Sequence, residues 1–211
     1  MSAVPRVHLA DPQANVREIV ELLRQADAQN VRLCVFPELC LCGYTCADLL
    51  IHPPLLSGCL QALDTLLQAP VRAAFVVGLP LEIGGRLYNC AVAVCGGRIL
   101  GVVPKTHLPG SCEFYEKRWF EPGHSAPESM TLCGQTVPVG GDLVFDCGLF
   151  SFGVELCEDL WVPAPPMQSL ADGGALMIVN PSASNELVTK HRYRCELIGQ
   201  QSARCLCGYL Y

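Results

Sequence analysis

Short apolar runs alternate with segments of helical periodicity along this chain, and this alternation limits its fold more than any other feature. After a predicted helix that begins with the capping pair Asn15 and Glu18 and ends near Asn30, the run VRLCVF (31–36) is typical of a buried strand. A second helix is predicted over 57–68. Helices that alternate with buried strands predict an α/β domain built in layers around a largely buried sheet.

The rest of the chain continues this pattern. Gly96 and Gly97 separate two apolar segments, and because such a dipeptide supplies the positive φ of a tight turn, residues 86–105 are predicted to form a β-hairpin. The stretch 109–141 is rich in turn residues and is predicted to be irregular. Further strands are predicted at 73–81, 143–146, 151–157 and 175–180, with a helix over 186–206 and a last strand in CLCGYLY (205–211).

Composition excludes several classes of protein. With 51% hydrophobic and 16% charged residues, the 211-residue chain is not a disordered tail. The net charge of −6 argues against a nucleic-acid-binding face, and no apolar run reaches the roughly 18 residues of a membrane helix. The first twenty residues show no secretory signal. We therefore expect one cytoplasmic domain over residues 1–211, with no nucleic-acid or membrane partner.

The chain contains fourteen cysteines, which could indicate disulfides or a metal site. Most of them lie inside apolar segments, and the CxxC spacing of zinc sites is absent, since the close pairs Cys40/Cys42 and Cys205/Cys207 are CxC. Most are therefore expected to be small buried thiols, and no metal site is expected.

Three segments share one arrangement, in which an apolar strand is followed directly by a reactive side chain. Glu38 follows VRLCVFP, Lys105 follows RILGVVP, and Cys157 follows SFGVEL. Ligands and catalytic groups of α/β proteins gather where strand ends open into loops. The three side chains can therefore meet in one cleft.

Taken singly, each of these residues has a simpler interpretation: Glu38 in a surface turn, Lys105 in a solvated loop, and Cys157 as a core thiol. The combination favours a site, because a carboxylate and an ammonium placed after buried strands are costly unless they pair. Acidic residues flank Cys157 and would raise the pKa of its thiol, so a nucleophilic Cys157 needs a base and a cation nearby. Glu38 and Lys105 are the residue types for those roles.

Several longer segments carry a family resemblance that covers nearly the whole chain. They are FPELCLCGYTCADLL (36–50), LYNCAVAVCGGRILGVVPKTHLP (87–109), EFYEKRWFEPG (113–123), LCGQTVPVG (132–140), FGVELCEDLWVP (152–163), NPSASNE (180–186) and QQSARC (200–205). In this order they resemble the nitrilase superfamily of carbon–nitrogen hydrolases. They are most similar to the glutaminase domain of bacterial glutamine-dependent NAD synthetases, to which ELCEDLWVP, NPSASNE and QQSARC are the more specific.

The resemblance implies a four-layer αββα sandwich, incomplete at both termini, with Glu38, Lys105 and Cys157 as the catalytic set. Glu113 lies where relatives often carry a second active-site glutamate, and Glu158 is implied as a supporting residue whose backbone N–H joins Lys105 in stabilising an oxyanion. Relatives commonly have an aromatic residue where this chain has Ser111. The substrate-binding positions implied are Tyr44, Ser111, Trp161, Ser184 and Lys190.

The resemblance also implies a reaction, the hydrolysis of glutamine to glutamate and ammonia through a cysteine thioester. In relatives the ammonia amidates deamido-NAD in a synthetase domain whose SGGxDS loop is absent here. ATP and Mg²⁺ belong to that domain, so no cofactor is expected for this one. Relatives begin earlier and continue beyond GYLY, so we expect the chain to be a fragment, and we expect a homo-oligomer.

Other functions remain open at this stage. A free-standing amidase acting on another small amide would use the same three residues. A papain-like enzyme would need a histidine, and His107, His124 and His191 are available, while a serine hydrolase is disfavoured because no GxSxG elbow occurs. A non-catalytic remnant is the last alternative, because an incomplete sandwich leaves open sheet edges that can pair with another chain.

Overall fold

The computed structural model describes residues 1–126 and 128–211, and its first sheet has four strands. These are β1 (Leu33–Val35), β2 (Ala74–Ile83), β3 (Arg86–Cys95) and β4 (Arg98–Pro104). They lie in the order β1-β2-β3-β4, with β1 parallel to β2 and the other pairs antiparallel. The predicted hairpin is confirmed, since β3 and β4 are joined at Gly96 and Gly97, both with positive φ.

The second sheet is built from the later part of the chain. Its strands are β7 (Val144–Asp146), β8 (Ser151–Val154), β9 (Met177–Val179) and β10 (Gly208–Leu210). Between the two sheets in sequence, β5 (Ser129–Leu132) and β6 (Gln135–Pro138) form a separate two-stranded hairpin. The sheet order is β10-β9-β8-β7. Only the β7–β8 pair of this sheet is antiparallel.

Helices cover the outer faces of the two sheets. The α-helices are α1 (Pro12–Ala28), α2 (Pro53–Leu67), α3 (Met167–Asp172) and α4 (Lys190–Cys205). Short 3₁₀ helices span Tyr44–Ile51, Glu116–Arg118, Gly123–Ser125 and Cys157–Trp161.

The alternation of side chains between the two faces of β2 shows how the layers form. Phe75 and Val77 belong to the buried cluster that includes the inner faces of α1 and α2, while Ala74 and Val76 belong to a second cluster shared with the other sheet. Successive strand residues point to opposite faces, so one apolar strand contributes to both clusters. On the far side, Leu170 of α3 packs with the second sheet. The four-layer αββα sandwich is thereby confirmed.

The predicted start of the first helix is wrong. Its N-cap is Asp11, whose Oδ1 accepts the N–H of Ala14 at 2.9 Å, and Pro12 occupies the first turn. Asn15 lies one turn inside the helix and is fully buried. Its side chain accepts the backbone N–H of His8 at 2.7 Å and donates to the carbonyl of Leu41 at 3.1 Å. The polar group at Asn15 therefore joins two loops to the helix instead of capping it.

Other bounds differ from the predictions as well, among them the last helix, which begins at Lys190 and not at 186, and the last strand, which begins at Gly208 and not at 205. The stretch 109–141 is not irregular throughout, because it contains the β5–β6 hairpin, which turns at Cys133 and Gly134. The second helix begins at Pro53, since proline is well tolerated in a first turn. Strand β8 ends at Val154, so Cys157 lies beyond the strand.

In the part of the chain that the structure describes, no helix combines the length and the apolar character needed to cross a membrane. All fourteen cysteines are free thiols, and eight of them are buried.

Candidate active site

Glu38 lies in the turn that follows β1, and its placement depends on a glycine of the neighbouring strand. A Cβ atom on Gly78 would lie 2.3 Å from the backbone nitrogen of Leu39. Because β2 carries no side chain at this point, the turn packs directly on the sheet, and the carbonyl of Gly78 accepts the N–H of Leu41 at 3.1 Å. Glu38 is thereby held in a buried position, 2% exposed.

Lys105 follows β4 and is completely buried. Its ammonium Nζ lies 2.6 Å from Glu38 Oε1 and 2.6 Å from Glu116 Oε1. The predicted pairing of Glu38 with Lys105 is therefore present, and a second carboxylate shares the same ammonium. Gly123 adds a backbone contact, since its N–H donates to the carbonyl of Lys105 at 2.7 Å.

Two further polar side chains complete this buried cluster. Asn89 on β3 donates its amide Nδ2 to Glu38 at 2.8 Å and to Glu116 at 3.2 Å. The hydroxyl of Tyr44 donates to Glu116 Oε1 at 2.6 Å. The second oxygen of Glu38 accepts the backbone N–H of Ala183 at 3.0 Å. Both carboxylates are thus held by several donors, which compensates for their removal from water.

The charges of the cluster shift the pKa values of its members. Burial alone would lower the pKa of Lys105, but the negative charge of Glu38, aided by that of Glu116 and, once it is ionised, of Cys157, outweighs burial and holds that pKa above its usual value. The pKa of Glu116 is raised, first by burial and then by the charge of Glu38. Burial and the charge of Glu116 raise the pKa of the Tyr44 hydroxyl, which therefore stays protonated as a donor.

Cys157 opens the 3₁₀ helix Cys157–Trp161 in a left-handed backbone conformation, with φ of 41°. This region is strained for a residue with a Cβ, and such strain is often found at functional sites. Two acceptors hold the backbone N–H of Cys157: the side-chain oxygen of Asn180 at 2.8 Å and the carbonyl of Pro181 at 3.2 Å. The strained residue is therefore fixed by the strand-end segment after β9.

The thiol of Cys157 is 5% exposed, and its pKa is raised to about 12. Burial is the main cause, and the negative charge of Glu38 adds to it, while the positive charge of Lys105 and hydrogen bonds from Ser182 and Ala183 lower the pKa. Glu38 and Lys105 thus both act on the thiol. At neutral pH the thiol is protonated, so its use as a nucleophile needs a base.

A buried network lies behind the segment that carries Cys157. Asn180 donates its Nδ2 to the hydroxyl of Tyr209 at 2.9 Å, and Tyr209 donates that hydroxyl to Glu155 Oε1 at 2.6 Å. Glu155 Oε2 accepts the N–H of Met167 at 2.9 Å. Burial raises the pKa of Glu155 to about 7. Glu155, two positions before Cys157, therefore faces β10 and α3. The pKa of the Cys157 thiol is raised mainly by burial and by the charge of Glu38, and not by Glu155.

Lys190, Ser184 and Trp161 lie together at the start of α4. The ammonium of Lys190 donates to Ser184 Oγ at 2.8 Å and to the side-chain oxygen of Asn185, and it lies 5.3 Å from the centre of the Trp161 ring. Trp161 also contacts Tyr193, with ring centres 5.8 Å apart. A cation, a hydroxyl and an aromatic wall are suitable groups for binding an amino-acid backbone.

The structure corrects the placement of the second glutamate. Glu113 is exposed and accepts a hydrogen bond from Asn185, whereas Glu116, 1% exposed, contacts Lys105. The 3₁₀ helix Glu116–Arg118 turns Glu116 inward, and Glu113 lies before that turn. Ser111 is exposed in the same loop, and the aromatic ring nearest to Tyr44 there is Phe114, edge-on at 6.2 Å. Glu158 is half-buried as the second residue of its 3₁₀ helix.

Several residues of the site were missed from the sequence. Asn89, a polar residue inside the apolar strand YNCAVAVC, carried a usable signal, because a buried polar group needs a partner. Glu116 and Asn180 carried weaker signals: each is one of several polar residues in its segment, and spacing alone does not show which one turns inward.

The family model described as carbon–nitrogen hydrolase matches residues 4–209. The glutamine-dependent NAD(+) synthetase of Mycobacterium tuberculosis strain H37Rv is 38% identical over 208 residues, which cover 96% of this chain and 31% of that protein. The enzyme of the same name from Mycobacterium leprae is 36% identical over 211 residues, with the same coverage. The chain thus spans about a third of the length of these relatives.

Solved structures agree with the fold. A glutamine-dependent NAD(+) synthetase from Cytophaga hutchinsonii superposes with a TM-score of 0.88 at 27% identity, over 99% of this chain and 34% of that one. An amidase from Nesterenkonia sp. AN1 superposes with a TM-score of 0.78 at 20% identity, over 99% of this chain and 76% of that one, and shows likeness of fold alone. With the family model covering almost every residue, the chain belongs to the carbon–nitrogen hydrolase family.

Proposed function

We propose that this chain is a glutaminase, which hydrolyses the side-chain amide of glutamine to glutamate and ammonia through a thioester on Cys157. The observation that carries the proposal is the buried Lys105 ammonium, 2.6 Å from Glu38, whose other oxygen accepts the N–H of Ala183 in the segment that also holds the backbone N–H of Cys157. The names of the relatives, which are glutamine-dependent NAD(+) synthetases, support glutamine as the substrate.

The first half of the proposed reaction makes the thioester. Glu38 takes the proton of the Cys157 thiol, and the sulfur attacks the side-chain carbonyl carbon of glutamine. Lys105 and the backbone N–H of Glu158 stabilise the tetrahedral oxyanion, and one such donor is typically worth about 3–4 kcal/mol. Glu38 then returns its proton to the departing nitrogen, the C–N bond breaks, and ammonia leaves.

The second half regenerates the thiol. Glu38 takes a proton from water as the resulting hydroxide attacks the thioester carbonyl. The C–S bond then breaks to release glutamate, and Glu38 returns the proton to the leaving sulfur, which restores the Cys157 thiol and the Glu38 carboxylate. Both oxygens of Glu38 are engaged, Oε1 by Lys105 and Asn89 and Oε2 by Ala183, so the carboxylate is oriented before substrate arrives. Every group in this mechanism is a side chain or backbone group of the chain, and no cofactor takes part.

Glutamine also carries an α-ammonium and an α-carboxylate. In this proposal Lys190 binds the α-carboxylate and Ser184 the α-ammonium, Trp161 and Tyr44 form walls, and Ser111 and Glu113 lie in the loop at the rim. This assignment is supported by the position of Lys190 over Trp161 and beside Ser184. A free-standing amidase for simple amides would have no use for these charged and polar groups.

The wider setting is also a proposal. The ammonia would amidate deamido-NAD in an ATP- and Mg²⁺-using synthetase part, for which relatives three times as long leave room. The fourteen free thiols are typical of a reducing compartment, which supports a cytoplasmic location. Formation of a homo-oligomer stays a prediction.

Active-site labelling tests the proposal. The glutamine analogue 6-diazo-5-oxo-norleucine should modify Cys157 among the fourteen thiols, as read by peptide mass mapping, and excess glutamine should protect it. Cys157→Ala should abolish ammonia release from glutamine, and Glu38→Gln should reduce it on the order of 10²–10⁴-fold. Cys195→Ala, an exposed thiol on α4, is the matched control and should retain activity. Normal ammonia release by Cys157→Ala would overturn the proposal.

A further inference from the structure

The proposed mechanism gives no role to the buried carboxylate of Asp159. Asp159 lies two residues after Cys157 and is 1% exposed. Its Oδ2 accepts the backbone N–H of Leu156 at 3.1 Å, on the other side of Cys157. Its Oδ1 accepts the backbone N–H of His107 at 2.7 Å and lies 2.9 Å from the ring Nδ1 of that residue.

A longer contact completes the set, from the N–H of Thr106 to Oδ2 at 3.4 Å. Thr106 and His107 are the two residues that directly follow Lys105 in sequence. One carboxylate therefore binds N–H groups from the loop that carries the cation and from the loop that carries the nucleophile.

These loops leave different sheets, Lys105 after β4 of the first and Cys157 after β8 of the second. The contact between the sheets is made by apolar side chains, Val103 and Phe152 among them. Apolar packing is not directional, so it holds the layers together without fixing the relative position of two loops closely. Hydrogen bonds to a carboxylate are short and directional, and can fix that position.

We propose that Asp159 is a positioning residue, which holds the Lys105 loop against the Cys157 loop so that the ammonium stays within reach of the sulfur and of the oxyanion formed on it. The His107 ring supports Asp159 from the partly exposed side, and Asp159 in turn raises the pKa of that ring. The proposal rests on the proposed glutaminase for its kinetic readout, but not for the thiol readout described next.

Asp159→Asn tests this role, because the amide preserves volume but replaces one acceptor oxygen with a donor that faces backbone N–H groups. Displacement of Lys105 should lower kcat on the order of a hundredfold with little change in KM, since misplacement by about 1 Å can cost that much. It should also slow iodoacetamide alkylation of Cys157 at pH 8 on the order of tenfold, because Lys105 is one of the groups that lower the thiol pKa.

Asp27→Asn is the matched control. Asp27 also accepts two backbone N–H groups, from Arg72 at 2.8 Å and Ala73 at 2.9 Å, but it joins the end of α1 to the start of β2, away from the site. The Asp27→Asn variant should be less stable than the wild type but should have the same kcat and the same rate of Cys157 alkylation. Equal kcat and equal alkylation rates in Asp159→Asn and Asp27→Asn would overturn the proposal.

A milder variant covers the case in which Asp159→Asn does not fold. His107→Ala removes only the ring contact and leaves the backbone hydrogen bonds to Asp159. Both kcat and the alkylation rate should therefore fall about threefold, a smaller loss than removal of a whole hydrogen bond to a charged group would cause. An unchanged alkylation rate in that folded variant would count against the proposal. Alkylation is measured without glutamine, so it decides the role of Asp159 even if the wild-type chain releases no ammonia and the proposed function fails.

Discussion

Glu116 lies 2.6 Å from Lys105, the same distance at which Glu38 contacts that ammonium. One buried cation is therefore shared between two carboxylates, and Asn89 donates to both. Only Glu38 also accepts a hydrogen bond from the backbone of Ala183 in the segment beside Cys157, so the two glutamates are not equivalent. In the proposed mechanism this geometry favours Glu38 as the proton acceptor, while Glu116 contacts both Lys105 and Tyr44 and is suited to hold them in place.

The first prediction concerns this difference. Glu116→Gln removes one of the two carboxylates on Lys105, so the ammonium is less firmly placed, and we expect kcat to fall on the order of a hundredfold with a small change in KM. The matched control is Glu113→Gln, three residues earlier and exposed, which should leave kcat within a few fold of the wild-type value. Steady-state kinetics with glutamine check both, and a larger loss of kcat in Glu113→Gln would reverse the assignment.

The second prediction concerns the recognition of the substrate's charged end. Lys190→Met keeps most of the side chain but removes the ammonium that contacts Ser184, so KM for glutamine should rise about tenfold to a hundredfold, as expected for a charge-assisted hydrogen bond of about 1.5–3 kcal/mol. For butyramide, which has no α-carboxylate, the variant and the wild type should have the same kcat/KM.

Lys117→Met is the control for the loss of one positive charge, because Lys117 is exposed and lies in the Glu116–Arg118 turn with its side chain over Gly110. The Lys117→Met variant should have the same kcat/KM as the wild type for both glutamine and butyramide. An equal loss of activity toward glutamine and butyramide in Lys190→Met would show that Lys190 acts on folding or on the chemistry, and not on the α-carboxylate.

The pairing of Glu38 with Lys105 could be predicted from the sequence because each of the two stands where its residue type is unusual. Glu38 and Lys105 are charged residues directly after apolar strands, and burial without a partner would be costly for either, so their pairing followed from the physics of charge burial. The layer order followed in the same way from alternation along strands that are apolar on both faces.

What could not be predicted depends on turns inside the loop after β4. Glu113 and Glu116 are both glutamates of EFYEKRW, and only the 3₁₀ turn at Glu116–Arg118 decides which of them points inward. The β5–β6 hairpin was missed for a related reason, because its strands have only four residues each, with Ser129, Thr131 and Thr136 exposed on the solvent side. Asp159 finds its partners 52 and 53 residues away, and local spacing gives no sign of them.

A third prediction uses the buried carboxyl of Glu155. Its pKa in the folded chain is about 7, above the ordinary 4.5, so the folded state binds more protons than the unfolded state between these values. The free energy of unfolding should therefore decrease as pH rises from about 4.5 to about 7, in total by on the order of 3 kcal/mol, and level off above that range.

Chemical denaturation of the wild type and of Glu155→Gln at several pH values checks this. The variant is expected to be less stable overall, because Glu155 accepts from both Tyr209 and Met167 and an amide offers only one oxygen. Its pH dependence across the window should be smaller than that of the wild type. His107, whose pKa is also raised, is present in both proteins, so the difference between the two curves isolates Glu155. Parallel curves would show that Glu155 does not titrate there.

The last prediction concerns Gly78, which allows the Glu38 turn to lie on β2. A methyl group at this position would come within 2.3 Å of the backbone nitrogen of Leu39 and 2.9 Å of the backbone around Glu38, so the turn must move away from the sheet. Gly78→Ala should cost about 1–3 kcal/mol in stability, as overpacking of a core typically does. It should also lower kcat, because movement of the turn weakens the contact between Glu38 and Lys105. Gly199→Ala in α4 meets nothing within 4 Å and should instead stabilise the helix by about 0.5–1 kcal/mol without changing kcat. Thermal unfolding and glutamine kinetics on the two variants check this; a Gly78→Ala protein with wild-type kcat would show that the position of Glu38 tolerates movement of its turn.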